Sequence, residues 1–137
     1  MKIGITCSCF DLFHAGHIMM LKEAKSVCDY LIVGLQTDPT IDRKEKNKPI
    51  QSVFERFVQL QACKYVDEVV IFDEDNPLRL IQDLRPDIIV KGGDYLESEV
   101  VGNEIAEVVI FNTIQGYSTT KLIKQLAASF EEGSSNK

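Results

Sequence analysis

Two histidines, His14 and His17, are the only ones in a chain of 137 residues, and Gly16 stands between them in the run Ser8-Cys9-Phe10-Asp11-Leu12-Phe13-His14-Ala15-Gly16-His17. An apolar, strand-like segment precedes this run and an amphipathic one follows it, so the histidines stand at a helix start. Three residues apart there, both imidazoles can face one side, above backbone N–H groups that favour an anion. Gly16 removes the side chain that would block a phosphate's close approach. Neither GxGxxG nor GxxxxGK[ST] occurs, so the usual dinucleotide and P-loop fingerprints are missing. One histidine at such a place reads as a helix cap or a core residue; two at the tip of a first strand point to phosphate binding.

Other residues could share that chemistry. Ser118, Thr119 and Thr120 stand at the start of the last amphipathic segment, where hydroxyls and unpaired N–H groups hold phosphate oxygens. Ser118 alone reads equally well as a helix cap, and Lys121 as a solvated lysine. The stretch Arg43-Lys44-Glu45-Lys46-Asn47-Lys48 sets four basic residues against one acidic; its plain reading is a solvated loop. A zinc site from Cys7, Cys9, His14 and His17 would need C-x-C and H-x2-H, whereas familiar tetrahedral sites use wider spacings. The four cysteines (Cys7, Cys9, Cys28, Cys63) sit among apolar residues and read as reduced core thiols.

The elements that must position these groups alternate along the chain. Strands are expected at Lys2–Cys7, Tyr30–Leu35, Glu68–Phe72, Asp87–Lys91 and Glu107–Phe111. Tyr30–Leu35 is a continuous apolar run, as in a parallel sheet buried on both faces. Helices are expected within Leu12–Cys28, with Ile18, Leu21, Ala24 and Val27 or Cys28 on one face, and over Gln51–Cys63, with Phe54, Phe57, Val58 and Leu60 inward. Pro77–Leu84 reads as a short helix with proline at its start. Ser118–Phe130 closes the fold with a stripe of Leu122, Ile123, Leu126, Ala127 and Phe130. The expectation is a single α/β domain over residues 1–130, a doubly wound, five-stranded parallel sheet, followed by a disordered tail over 131–137. Ligands in such folds bind beyond the carboxyl ends of the strands, where strand order reverses.

Composition narrows the partners. Hydrophobic residues make up 45% and charged residues 26%, ordinary for a globular domain. A net charge of −6 argues against a nucleic-acid or anionic-membrane surface, which needs a basic face. The acidity is local: residues 65–110 hold twelve acidic and three basic side chains, and the remainder carries a net +3. This distribution leaves room for one small, phosphate-sized basic pocket. No apolar run approaches the ~20 residues of a membrane span, and the apolar start is too short for a signal peptide. A cytoplasmic protein is expected.

The run Cys9-Phe10-Asp11-Leu12-Phe13-His14-Ala15-Gly16-His17 resembles the (T/C)FDxxHxGH signature of the cytidylyltransferase-like nucleotidylyltransferases. Tyr117-Ser118-Thr119-Thr120-Lys121 is similar to that family's second signature. The likeness extends from Ile3 to about Leu126. It implies a Rossmann-like fold that moves a nucleotidyl group from a nucleoside triphosphate to a phosphorylated sugar or polyol and releases pyrophosphate. It further implies Mg²⁺ carried by the triphosphate rather than by protein side chains, and a homodimer. His14, His17, Lys44 and Lys46 become the expected catalytic residues. Ser8, Cys9, Phe10, Asp11, Gly16, Arg56, Lys91, Gly92, Asp94, Tyr117, Ser118, Thr119, Thr120 and Lys121 become expected nucleotide or phosphate contacts.

Two branches compete. Asn76–Ile81, Arg85–Tyr95, Val100-Val101-Gly102 and Gly116–Thr120 are similar to the heptose-1-phosphate adenylyltransferase domain, which favours ATP. The length, and Tyr65-Val66-Asp67-Glu68-Val69, resemble the glycerol-3-phosphate cytidylyltransferases. In that branch an arginine shortly precedes the STT motif, where this chain has Thr113. The segment from Gly102 to Glu107 is shorter than in the adenylyltransferases. A nucleotide-binding sensor of the same fold, without turnover, is the third reading.

Overall fold

Seven residues from Tyr30 to Gln36 form an inner strand of the sheet, and every one from Leu31 to Gln36 is buried. A strand covered on both faces needs helices above and below, and the chain supplies them in order. The computed structural model describes residues 1–40, 47–112 and 119–135. Its elements are β1 (Ile3–Ser8), α1 (Ala15–Ser26), β2 (Tyr30–Gln36), α2 (Val53–Ala62), β3 (Glu68–Phe72), α3 (Leu78–Leu84), β4 (Ile88–Gly92), a 3-10 turn (Glu97–Glu99), β5 (Glu107–Phe111) and α4 (Thr119–Ser135).

The five strands pair in parallel in the order β3-β2-β1-β4-β5. The chain runs outward from β1 to β3, then returns to lay β4 on the other side of β1. Strand order therefore reverses between β1 and β4, the crevice where ligands settle in such sheets. The doubly wound, Rossmann-like expectation holds.

Side-chain alternation divides the core into two layers. On one face Leu31, Val33, Leu35, Ile88 and Val90 pack with Leu21 and Ala24 of α1, Leu60 of α2, and Phe10. On the other, Ile5, Ile32 and Ile89 pack with Ile81 of α3, Val100 and Val108. Gly102 turns the chain back onto this second layer at φ +92, where a Cβ would stand 2.7 Å from Ile89 Cδ1. All four cysteines are free thiols, and burial pushes the Cys7 thiol up to about 12.

Three expectations about inward faces fail. Phe54 and Val58 of α2 are exposed, because Val53, Arg56, Phe57 and Leu60 form the inward ridge and Arg56 takes a core position. Ile18 of α1 is exposed, while Leu21 and Ala24 are buried as expected. Ile123, Leu126 and Phe130 of α4 are exposed, so this stripe does not close either core layer. The helix also continues to Ser135, through residues read as a disordered tail.

Candidate active site

The β1–α1 loop builds the site. Phe10 and Leu12 take left-handed backbone angles, φ 51 and φ 48, in a loop of six residues. Neither is glycine, so this turn is strained, and strain of this kind collects at ligand sites. Phe10 is buried as a plug beneath the loop. Its ring and that of Phe13 bracket His17, with centroids 5.7 Å and 5.5 Å away, and Phe13 lies nearly parallel to the imidazole.

His14 and His17 lock each other. The His17 Nδ1 accepts the backbone N–H of His14 at 3.1 Å, and the His14 Nδ1 accepts that of Gly16 at 3.1 Å. An Nδ1 that accepts carries no proton, so each neutral ring bears its hydrogen on Nε2. The ring centroids are 3.9 Å apart. Burial, then the neighbouring His14, lowers His17 to about 4, and burial lowers His14 below its ordinary value. Helix capping and phosphate binding, alternatives on sequence grounds, are therefore compatible: one nitrogen of each ring caps and the other remains as a donor. The Gly16 amide is occupied by His14, so it is not itself an open anion contact.

Arg56 is a correction. Its guanidinium is buried at 1% exposure and, among the described residues, donates to backbone carbonyls: Nε to Gln51, Nη1 to Cys9 and Gln36, and Nη2 to Thr37, at 2.7 to 3.1 Å. It ties together the ends of β1 and β2 and the start of α2, and presents no face to a nucleotide. Asp11 is another. Its two carboxylate oxygens accept the N–H groups of Ile50 and Gln51 at 2.8 and 3.0 Å, anchoring the segment that follows residues 41–46. Cys9 turns its thiol toward the Gln36 Oε1, at 3.5 Å.

The end of β4 parts two ways. Gly92 opens toward α1 and β5: a Cβ there would meet Met20 Cγ at 3.6 Å and the Phe111 carbonyl at 4.0 Å. Lys91 points to the opposite face, with Nζ 4.9 Å from the centre of the Tyr95 ring. Ser8 and Asp94 are exposed at the ends of β1 and β4. Thr119 opens α4, with Thr120 and Lys121 exposed after it. Lys44, Lys46, Tyr117 and Ser118 lie outside the described residues.

Sequence reasoning missed Gln36. Buried at the end of β2, it donates Nε2 to the carbonyls of Glu74 and Asp75 at 3.0 and 2.8 Å. A polar residue ending an otherwise apolar buried strand was the available signal. It also missed a cleft of about 430 Å³ at the carboxyl ends of the strands on the α3 face, lined among others by Asp75, Asn76, Lys91, Tyr95 and Glu99. Among the described residues no group of three or more His, Cys, Asp or Glu side chains converges as a metal site. No helix of the described residues is long and apolar enough to cross a membrane.

Comparison with known proteins places this geometry. Residues 5–135 match the model of the Cytidylyltransferase-like family. The Bifunctional protein HldE of Campylobacter jejuni (strain RM1221) is 48% identical over 127 residues, 91% of this chain and 28% of that protein. That of Rhodopseudomonas palustris (strain BisA53) is 44% identical over 128 residues, 89% of this chain and 26% of that protein. The chain thus spans about a quarter of the length of these relatives. Among solved structures, the lipopolysaccharide core biosynthesis protein of Thermoplasma volcanium aligns with TM-score 0.69 and 28% identity, over 86% of this chain and 99% of that one. The pantothenate synthetase of Thermus thermophilus shares the fold alone, at TM-score 0.61 and 15% identity, over 83% of this chain and 56% of that one. With its paired histidines at the switch point of a five-stranded parallel sheet, the chain belongs to the cytidylyltransferase-like family of nucleotidyltransferases.

Proposed function

We propose that the chain transfers the nucleotidyl group of a magnesium-bound triphosphate, with ATP preferred, to the phosphate of a sugar phosphate, on the way to a cell-surface polysaccharide precursor. The observation that carries this reading is the locked pair His14 and His17 at the β1 tip, whose Nδ1 atoms accept backbone N–H groups and so leave Nε2–H as the donor of each ring. An acceptor phosphate oxygen attacks the α-phosphorus, the bond from that phosphorus to the bridging oxygen breaks, and pyrophosphate leaves. The protein supplies positioning and neutralisation of charge. Neutral Nε2–H donors aimed at the triphosphate do so without proton transfer.

The sugar-phosphate branch is supported by the 44% and 48% identities to HldE proteins and by the likeness to a lipopolysaccharide core biosynthesis protein. In this reading magnesium enters on the triphosphate oxygens as part of the substrate. Lys44 and Lys46, in the basic loop, and Thr119, Thr120 and Lys121, at the start of α4, are the further phosphate contacts of this reading. So are Ser118 and Tyr117 beside them, while Gly16, Gly92 and Asp94 leave room for, or border, the nucleotide. We extend the reading to a cytoplasmic homodimer, for which the exposed Phe54 and Val58 of α2 supply apolar surface.

The second reading, a CTP-dependent glycerol-3-phosphate cytidylyltransferase, draws on Tyr65-Val66-Asp67-Glu68-Val69. A nucleotide-binding sensor is the third. Pyrophosphate release, followed with ATP or CTP, Mg²⁺ and a panel of sugar and polyol phosphates, separates them. Release with ATP and a heptose phosphate is expected. Release with CTP and glycerol 3-phosphate alone would replace the first reading by the second, and tight triphosphate binding without release would favour the sensor.

A further inference from the structure

Cys9 and Gln36 meet where the sheet ends. The paired register of β1 and β2 closes at Ser8 and Leu35, so Cys9 and Gln36 stand next, just past the ladder. Side chains join them there: the Cys9 thiol donates to the Gln36 Oε1 at 3.5 Å. Both residues border the α3 side of the sheet, together with Ile81 and Ile89. The next side chain, Phe10, enters the opposite layer with Leu31, Val33 and Val90.

The Gln36 carboxamide is engaged at both of its atoms. Its Nε2 donates to the carbonyls of Glu74 and Asp75, at 3.0 and 2.8 Å, which fixes the oxygen toward Cys9. A carboxamide buried to 6% exposure is tolerated because these bonds satisfy it. What the polar side chain adds is a link between the segment after β3 and the first residue of the histidine loop. Arg56 adds a second hold, since its Nη1 takes the main-chain carbonyls of Cys9 and Gln36 at 2.9 and 2.7 Å. Cys9 is thus gripped by thiol and carbonyl directly before the left-handed Phe10.

A turn held in sparsely populated angles persists where its surroundings over-determine it. With Cys9 released, Phe10 can relax toward an ordinary backbone, and its ring, 5.7 Å from the His17 ring, shifts with it. The imidazole then loses part of the wall that buries and aims it. We propose that Gln36 is a positioning residue for nucleotidyl transfer: it locks Cys9 to the segment after β3, sets the strained turn at Phe10, and so aims His14 and His17 at the triphosphate. This rests on the nucleotidyl-transfer reading above and deepens it.

The test compares wild type with Gln36→Met, Cys9→Ala, Cys9→Ser and the Gln36→Met/Cys9→Ala double variant, each checked for folding by urea denaturation. Pyrophosphate release with ATP, Mg²⁺ and heptose 1-phosphate gives kcat and KM, and NMR gives the His17 inflection. Gln36→Met is expected to lower kcat by about tenfold or more, the scale of a misplaced reacting group, with the KM for ATP within about threefold. Its His17 inflection moves upward as burial of the ring is relieved. Cys9→Ala loses activity in the same direction, Cys9→Ser retains it by keeping a donor, and the double variant loses less than the product of the single losses. A folded Gln36→Met variant with wild-type kcat, or with an unmoved His17 inflection, overturns the proposal, and so do losses that multiply in the double variant. If Gln36→Met does not fold, Cys9→Ala decides, and wild-type kcat there overturns it. If wild type releases no pyrophosphate from any pair, the transfer reading fails, and the His17 inflections alone decide whether Gln36 positions the histidines.

Discussion

The Nδ1 of His17 accepts the backbone N–H of His14 at 3.1 Å, and this one bond determines where the hydrogen of His17 resides. With Nδ1 engaged, the ring is neutral and its proton sits on Nε2. In the proposed transfer the pair would therefore act on phosphate through hydrogen bonds rather than through two positive charges. Phe13, stacked on His17, restricts the ring's rotation and keeps that donor aimed.

Replacing His17 by alanine removes one such donor. Turnover is expected to fall by about 10²–10³, the loss typical of one donor to a developing charge. Loss of the cap bond should lower stability by about 1 kcal/mol. Steady-state pyrophosphate release and urea unfolding check both, and wild-type turnover in the variant contradicts the role.

Acid should destabilise the fold through His17. Its folded value, lowered to about 4, lies below the ordinary 6.5, so the unfolded chain binds the proton first as pH falls. Stability on the order of 3 kcal/mol is present above about pH 6.5 and is lost between there and about pH 4. NMR titration should show His17 in its Nε2–H form at pH 7, with an inflection well below 6. An inflection at 6.5 or above contradicts the locked pair.

Arg56→Lys should destabilise the protein although charge is kept. A lysine cannot reproduce a fork that reaches four carbonyls. A loss of about 3 kcal/mol or more in denaturant unfolding is expected from stranded buried groups. Unchanged stability together with weakened triphosphate binding would instead show that Arg56 contacts the nucleotide.

Gly102→Ala should cost about 2 kcal/mol or more, since it combines φ +92 with a Cβ 2.7 Å from Ile89 and 3.0 Å from Ile81. Thermal unfolding reads this directly. A change within about 0.5 kcal/mol would mean that the turn relaxes freely.

Much of this architecture is legible in the chain because its strands are short apolar runs bounded by turn residues. Glu68–Phe72 and Glu107–Phe111 begin and end where periodicity places them. The inward face of α2 was misread for a physical reason: a buried arginine looks like a surface residue until its carbonyl partners are known, and Arg56 displaces Phe54 and Val58 outward. The histidine loop is legible because its chemistry is contiguous. The cleft is not, because Gln36, Asp75, Lys91 and Glu99 come from separate segments that only the parallel order brings together.

The most direct test of nucleotidyl transfer follows the α-phosphorus itself. ATP radiolabelled at the α-phosphate is incubated with the protein, Mg²⁺ and heptose 1-phosphate, and the products are separated. The account predicts that the label enters the sugar product while unlabelled pyrophosphate leaves in equal amount. Label remaining wholly on ADP, with the terminal phosphate moved to the sugar, would contradict it.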